Sequence, residues 1–378
     1  MSDERKPAVH IGWLVATRLD EVQSALLDRV MTSVRERLTR QFPGYDWDMR
    51  RIQRRVAPPE GVLDPLVLLE LGAEEKLHRR LDLVLVFVPN ELMPRNRIYI
   101  AGVPSSILEV AVLSSARFMD DPDPACHLTG LALHLLGHLL GLPHEEAGIM
   151  RCTEETTHIQ PEDYSPEARA LVEERLARIA DLRLEEQGGT EGRLRFWWRT
   201  WMSDPLGILR DVFAYAPWRM PLYLGRYTAA TAVTVIFLFL SAEAWELGAR
   251  MQGNHLGMGA VVICILAALS LYLGQNLHQM GRVATLREQL TRTRMTLFGA
   301  LLAGMGALWL ALFAIGLVVM EAFPKAVFAG WAGVAPEHLS LTHYAAFMAN
   351  LGVVAGAFGG NLEDEAEIKA VLLFDEET

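Results

Sequence analysis

Three cysteines in 378 residues, Cys126, Cys152 and Cys264, lie too far apart to form a disulfide framework. That scarcity fits a reducing compartment. Basic residues are also in deficit, 35 Lys and Arg against 46 Asp and Glu for a net charge of −11, which argues against nucleic acid as the main partner. No long apolar run follows the charged stretch Met1 to Lys6, so no cleavable signal peptide is expected. What is abundant instead is apolar surface. A hydrophobic content of 51% and a positive mean hydropathy exceed what one soluble domain of this length needs, and predict that part of the chain lies in lipid.

Up to residue 189 the pattern alternates between short apolar runs and amphipathic periods, the signature of an α/β fold. Residues 8–15 read as a buried strand. In 20–41, Val22, Leu26, Val30, Val34 and Leu38 fall at helical spacing. Strands are expected at 47–52, 81–88, 97–101 and 107–114, with a helix at 63–77. The 81–88 run LDLVLVFV suits a strand covered on both faces.

After Asp123-Pro124, a capping acid and a first-turn proline start a helix expected to run to Gly141. It carries His134 and His138, four apart and so on one face. A reversal at Gly141, where glycine tolerates a left-handed backbone, brings His144 back toward them. Three neutral imidazoles at one point make a zinc site with a fourth position open.

The full pattern, His134-x-x-x-His138-x-x-Gly141-x-x-His144, resembles the zinc motif of the metzincin metalloproteases. Met150, in Gly148-Ile149-Met150-Arg151, falls where those proteins place the methionine turn beneath their metal. Leu81 to Val88, Val110 to Arg117 and Gly137 to His144 are most similar to archaemetzincins. The resemblance spans roughly the first half of the chain and implies a mixed sheet plus a zinc-binding helix, one Zn2+ held by His134, His138 and His144, and a protein or peptide substrate.

Two departures qualify that expectation. Archaemetzincins carry a cysteine after the third histidine and a later Cys-x-x-Cys for a second, structural zinc. This chain has Glu145 there and no such pair, so no second zinc is expected. Leu135 stands where the family has the glutamate that moves protons during hydrolysis, and leucine transfers none. Glu145 and Glu146 are the candidate substitutes, with solvation of a loop as the alternative. His127, seven residues before His134, is either a fourth ligand or a partly exposed first-turn residue.

A third amphipathic helix is expected over 165–187 and a flexible linker at 188–192. The composition then changes. Arginines interleave with tryptophans in 193–218, as in an interfacial segment. Four spans follow, at 221–242, 256–277, 295–320 and 341–360, the last with Gly352, Gly356 and Gly360 at a spacing that permits close packing. His343, Asn350, Gln275 and Asn276 mark either a conduit, or hydrogen bonds between helices, or an interfacial position.

Six arginines against two acids in 193–226, and four against Glu288 in 279–294, place both segments on the cytosolic side. The expected organisation is a cytosolic metzincin-like domain (1–189), a linker and interfacial segment (190–220), an all-α domain of about four transmembrane helices (221–360) and an acidic cytosolic tail (361–378). The protein is then an integral protein of a bacterial inner or plasma-type membrane with both ends inside. Three functions follow in order: a membrane-anchored zinc metallopeptidase-like protein, a catalytically inactive zinc-binding interaction module, or a channel component with a regulatory domain.

Overall fold

The computed structural model describes residues 6–373 and 376, except 55, 57, 59, 96, 120, 152–159, 180–192, 214–215 and 278–286. Cys152, the linker at 188–192 and the first half of the second basic loop (279–286) lie outside the described residues. The chain forms two compact units. One comprises 1–211 with 280–293 and 373–378, the other 212–279 with 294–372.

In the first unit, β1 (Ala8–Val15), β2 (Asp46–Gln53), β3 (Leu83–Val88), β4 (Gly102–Ser105) and β5 (Val110–Ser114) form one sheet in the order β2-β1-β3-β5-β4. All pairings are parallel except β4 on β5. Every residue of β3 is buried, as its unbroken apolar run requires at the centre of a sheet covered on both sides. One face packs beneath α1 (Glu21–Gln41), α3 (Pro124–Leu139) and α4 (Pro166–Ile179) through Val9, Ile11, Trp13, Leu83, Leu85 and Phe87. The other face meets α2 (Pro65–Arg79), whose Gly72 lies against Val86 and Val110.

The helices begin where short acids satisfy their first amides. Asp20 and Gln23 form a reciprocal capping box on α1, Asp64 accepts from Leu66 at α2, and Asp123 accepts from Cys126 at α3.

Two strand expectations need correction. Residues 97–101 form no strand, and the amide of Arg97 donates to the Glu376 carboxylate (3.2 Å) instead of a ladder. The expected 107–114 strand is shortened to β5, because Glu109 adopts a left-handed backbone (φ 55°) that turns the chain just before it. The antiparallel partner is β4, whose Pro104 has no amide to donate and suits an edge position. The third amphipathic helix is seen over Pro166–Ile179.

Beyond it lie α5 (Arg193–Ser203), α6 (Pro205–Phe213), α7 (Met220–Tyr223), α8 (Gly225–Leu240), α9 (Ala242–Arg250), α10 (Gly253–Gly274), α11 (Arg287–Glu321), α12 (Lys325–Ala332), α13 (Leu341–Gly360) and α14 (Glu365–Leu373). Three of these are long and apolar enough to cross a membrane, and a fourth span results if the bent pair Pro205–Tyr223 and Gly225–Leu240 counts as one. The first expected span is shorter than its apolar run, because Leu224 is extended before α8 and Ser241 ends it by capping α9. Within the acidic tail, Ile368, Leu372 and Leu373 of α14 are buried.

The glycine stripe on α13 does bring helices close, with Gly352 against Leu312 and Gly356 against Thr231. Asn350 accepts from the Trp309 indole (2.8 Å) and donates to the Leu256 carbonyl (3.2 Å), and Gln275 donates to the Gly360 carbonyl (3.0 Å). These polar groups form hydrogen bonds between helices.

Candidate metal centre

The zinc motif lies at the C-terminal end of α3 and in the loop after it. Gly141 (φ 82°) takes the left-handed conformation, its amide bonds the His138 carbonyl (2.9 Å), and the Leu142 amide bonds the Gly137 carbonyl (2.9 Å). This is the Schellman pattern that ends a helix and reverses the chain. The reversal carries His144 back over the last helical turn. The ring of His138 lies edge-on to both others, at 80° to His134 and 79° to His144.

Two carbonyls then fix the rings. His134 Nδ1 donates to Ile149 O (2.7 Å) and His138 Nδ1 donates to Leu142 O (3.0 Å). A carbonyl oxygen only accepts, so in the neutral rings the hydrogen is on Nδ1 and Nε2 presents its lone pair. The Nε2 atom of His138 lies 3.0 Å from that of His134 and 3.2 Å from that of His144.

These spacings match the metal. Nitrogens about 2.0–2.1 Å from a tetrahedral zinc are about 3.3 Å apart. Lone pairs facing each other at 3.0 Å repel unless a cation lies between them, so the donor set fits Zn2+ on geometry and on charge. Burial is graded across the site: His134 is in the core, His138 half-buried and His144 exposed. The open side is therefore toward solvent.

Met150 is fully buried beneath α3. A Cβ at Gly137 would fall 2.3 Å from its sulfur, so only glycine lets the methionine lie under the helix. Gly148 (φ 80°) shapes the preceding turn, the Arg151 amide returns to Gly148 O (3.1 Å), and the Glu145 amide bonds Met150 O (2.9 Å). The turn thus delivers the Ile149 carbonyl that orients His134. Tyr164, fully buried, donates to Leu133 O (2.6 Å) from below the same helix, and burial raises its phenol above the ordinary range.

The acids are placed differently. Among the described residues, the metal-competent atoms lying within 4.8 Å of one another belong to His134, His138 and His144; neither Glu145 nor Glu146 joins them. Glu145 accepts from Ser165 Oγ (3.1 Å), the hydroxyl that also caps α4 at Ala168, and Glu146 is exposed. Leu135 has no exposure, and its methyl groups lie against Gly102 of β4. His127 is held elsewhere, donating to Asp121 (2.5 Å) and accepting from Gln160 (3.0 Å).

Sequence reasoning missed the two carbonyl clamps, the Tyr164 brace and the bond from Arg210 Nη2 to Gly141 O (2.9 Å). A glycine inside a helix costs about 1 kcal/mol relative to alanine, so Gly137 was the one available signal that something approaches α3 closely.

Fold and site together define a mixed α/β domain with a three-histidine cluster suited to zinc. The chain is similar to solved structures of archaemetzincins and of a zinc-dependent peptidase. Archaemetzincin from Methanopyrus kandleri shares 19% identity over 46% of this chain and 98% of its own, with a TM-score of 0.37. Archaemetzincin from Archaeoglobus fulgidus, complexed with malonate, shares 15% over 43% and 99%, with a TM-score of 0.33. The zinc-dependent peptidase from Methanocorpusculum labreanum shares 18% over 43% and 99%, with a TM-score of 0.34. No family model and no curated protein matches the sequence.

Proposed function

We propose that this protein is a membrane-anchored, metallopeptidase-like protein that holds one zinc ion on His134, His138 and His144. Beside that ion it holds a protein or peptide segment at the cytosolic membrane face, without proficient hydrolysis. The observation that carries the metal part is the pair of carbonyl clamps, which turn two Nε2 lone pairs toward each other and toward His144. Bound zinc supplies Lewis acidity toward a carbonyl oxygen. The chain's own residues orient the imidazoles and keep the opposite side of α3 dry.

Among the described residues, no proton carrier stands at the site. Leu135 offers none, the Glu145 carboxylate is engaged by Ser165, and Glu146 is exposed outside the cluster. Loss of a general base typically costs about 10²–10⁴-fold in rate. Anchoring and orientation rest on the apolar helices and on the arginine excess in 193–226 and 279–294.

The test is zinc content of the purified chain together with peptide cleavage. The reading expects stoichiometric zinc, lost in His138→Ala, and no cleavage by the native chain. Absence of zinc from native protein would sink it. Cleavage that Glu145→Ala or Glu146→Ala abolishes would replace it with a working hydrolase whose base comes from downstream.

A further inference from the structure

The helices α5 and α6 leave an apolar, cationic face uncovered. Their inner sides are buried through Phe196, Thr200 and Ile208. The outer sides carry Trp197, Trp198 (60% exposed), Met202, Leu206 (78% exposed) and Leu209. Charge is sorted in the same way. The acids between 193 and 219 are Asp204 and Asp211, and both turn inward: Asp204 accepts from the Gly207 amide (3.0 Å), and both pair with Arg292 (3.2 and 2.8 Å). Arg195 and Arg210 are exposed with the apolar residues. In a chain of net charge −11, this face is cationic and aromatic.

We infer that the outer faces of α5 and α6 lie in the headgroup layer of an anionic bilayer. Indole rings favour that layer because one edge is polar and the body apolar, and arginine complements anionic headgroups. The same surface reaches the metal loop: Arg210 Nη2 donates to Gly141 O, the turn between His138 and His144. One side chain therefore separates the lipid surface from the metal turn. A segment held beside the metal is then one that lies along, or emerges from, a membrane.

This inference rests on the membrane anchoring proposed above, which is read separately by retention of the chain in vesicles after an alkaline carbonate wash. The surface itself is tested with a spin label on Leu206→Cys or Met202→Cys in the full chain, reconstituted in phosphatidylcholine with or without phosphatidylglycerol. The unsubstituted chain, treated identically, supplies the background from its own thiols. Glu36→Cys, exposed on α1, is the aqueous reference.

In anionic vesicles the ratio of oxygen to nickel-chelate collisions at 202 and 206 should exceed that at 36 by about threefold or more, as expected of apolar side chains that reach from the headgroup layer to its boundary with the acyl chains. Arg195→Gln with Arg210→Gln, or vesicles without anionic lipid, should reduce that excess. A ratio equal to that at Glu36→Cys would overturn the inference. So would shielding from both reagents, which would mean that protein or a second copy covers the face. A ratio indifferent to lipid charge would overturn its anionic part.

Discussion

Replacing Leu135 by glutamate puts an acid next to His134, and the structure sets what that costs. Leu135 is fully buried between α3 and β4, with its methyl groups 3.0 and 3.1 Å from where a Cβ on Gly102 would stand. Removing its apolar contribution costs about 1.5–3 kcal/mol. The new carboxyl enters a dry contact, which raises its pKa above the solution value. At pH 7, keeping it protonated from a solution value near 4.3 costs at most about 3.7 kcal/mol. The sum, up to roughly 7 kcal/mol, is a large share of a domain's stability.

The sign with pH follows. Below about pH 4 the carboxyl is protonated folded and unfolded, so the electrostatic part vanishes; it grows as pH rises and levels off at the raised folded value. Thermal unfolding of the solubilised chain at pH 5 and at pH 7.5, with and without zinc, reads this. In zinc-loaded, folded Leu135→Glu, assayed above the raised pKa so that the carboxylate can accept a proton, cleavage of a peptide library should rise by about 10²–10⁴-fold over the native chain. Leu135→Gln, of the same shape but unable to carry the proton, should gain nothing. No gain in folded, zinc-loaded Leu135→Glu refutes the claim that the absent acid alone silences the site.

Gly137→Ala places a methyl 2.3 Å from the Met150 sulfur; overpacking of about 1–3 kcal/mol against a helix gain of about 1 leaves a net loss of up to about 2 kcal/mol. Because Ile149 moves with Met150, zinc affinity should fall by about tenfold in chelator competition, and an unchanged affinity would break the link between turn and ligand. Zinc at about 1,000 times its Kd should stabilise the native chain by about 4.1 kcal/mol, seen as a rise in melting temperature that His138→Ala lacks. Glu109→Gln should destabilise by about 3–5 kcal/mol, since it leaves Lys76 (2.5 Å) buried without its carboxylate and takes from Arg175 (3.4 Å) the nearer of two, Asp211 remaining at 3.8 Å. Burial alone would raise the Glu109 carboxyl, but Lys76 and Arg175 outweigh it and hold it below the ordinary range. Its contribution is therefore present above the usual carboxylate range and lost as pH falls through the depressed value, so native and variant should converge in acid.

The elements legible in the sequence are those whose burial repeats along the chain. Val30, Val34 and Leu38 announce α1 by period, and the unbroken run of β3 announces a central strand. Strand β4 was misplaced because Gly-Val-Pro-Ser has no alternation to read, and its partner was overextended because a left-handed glutamate at 109 has no sequence signal. The helices α9 and α12 fall between the expected spans and had no signal of their own, since each is less than three turns long. In the site, the histidine spacing and Gly141 were legible because they are side-chain and glycine signals. The clamps on His134 and His138 were not, because Ile149 and Leu142 contribute only carbonyl oxygens, which every residue has.

That difference explains how metal binding and proton transfer separate in this fold. The groups that aim the imidazoles are backbone carbonyls, and those carbonyls are positioned by Gly141, Gly148 and the Gly137–Met150 contact. None of these uses the side chain at 135. A leucine there leaves every hydrogen bond around the three rings intact and adds an apolar contact to β4. An acid in that position would supply a proton carrier, but the architecture of the cluster does not require one, and leucine packs the contact with β4. The converse does not hold for the histidines: removing any of the three takes away part of the donor set, and removing His134 or His138 also leaves a clamp carbonyl without that donor. Substitutions at 135 should accordingly move turnover with zinc retained, whereas substitutions at 134, 138 or 144 should move zinc and stability together.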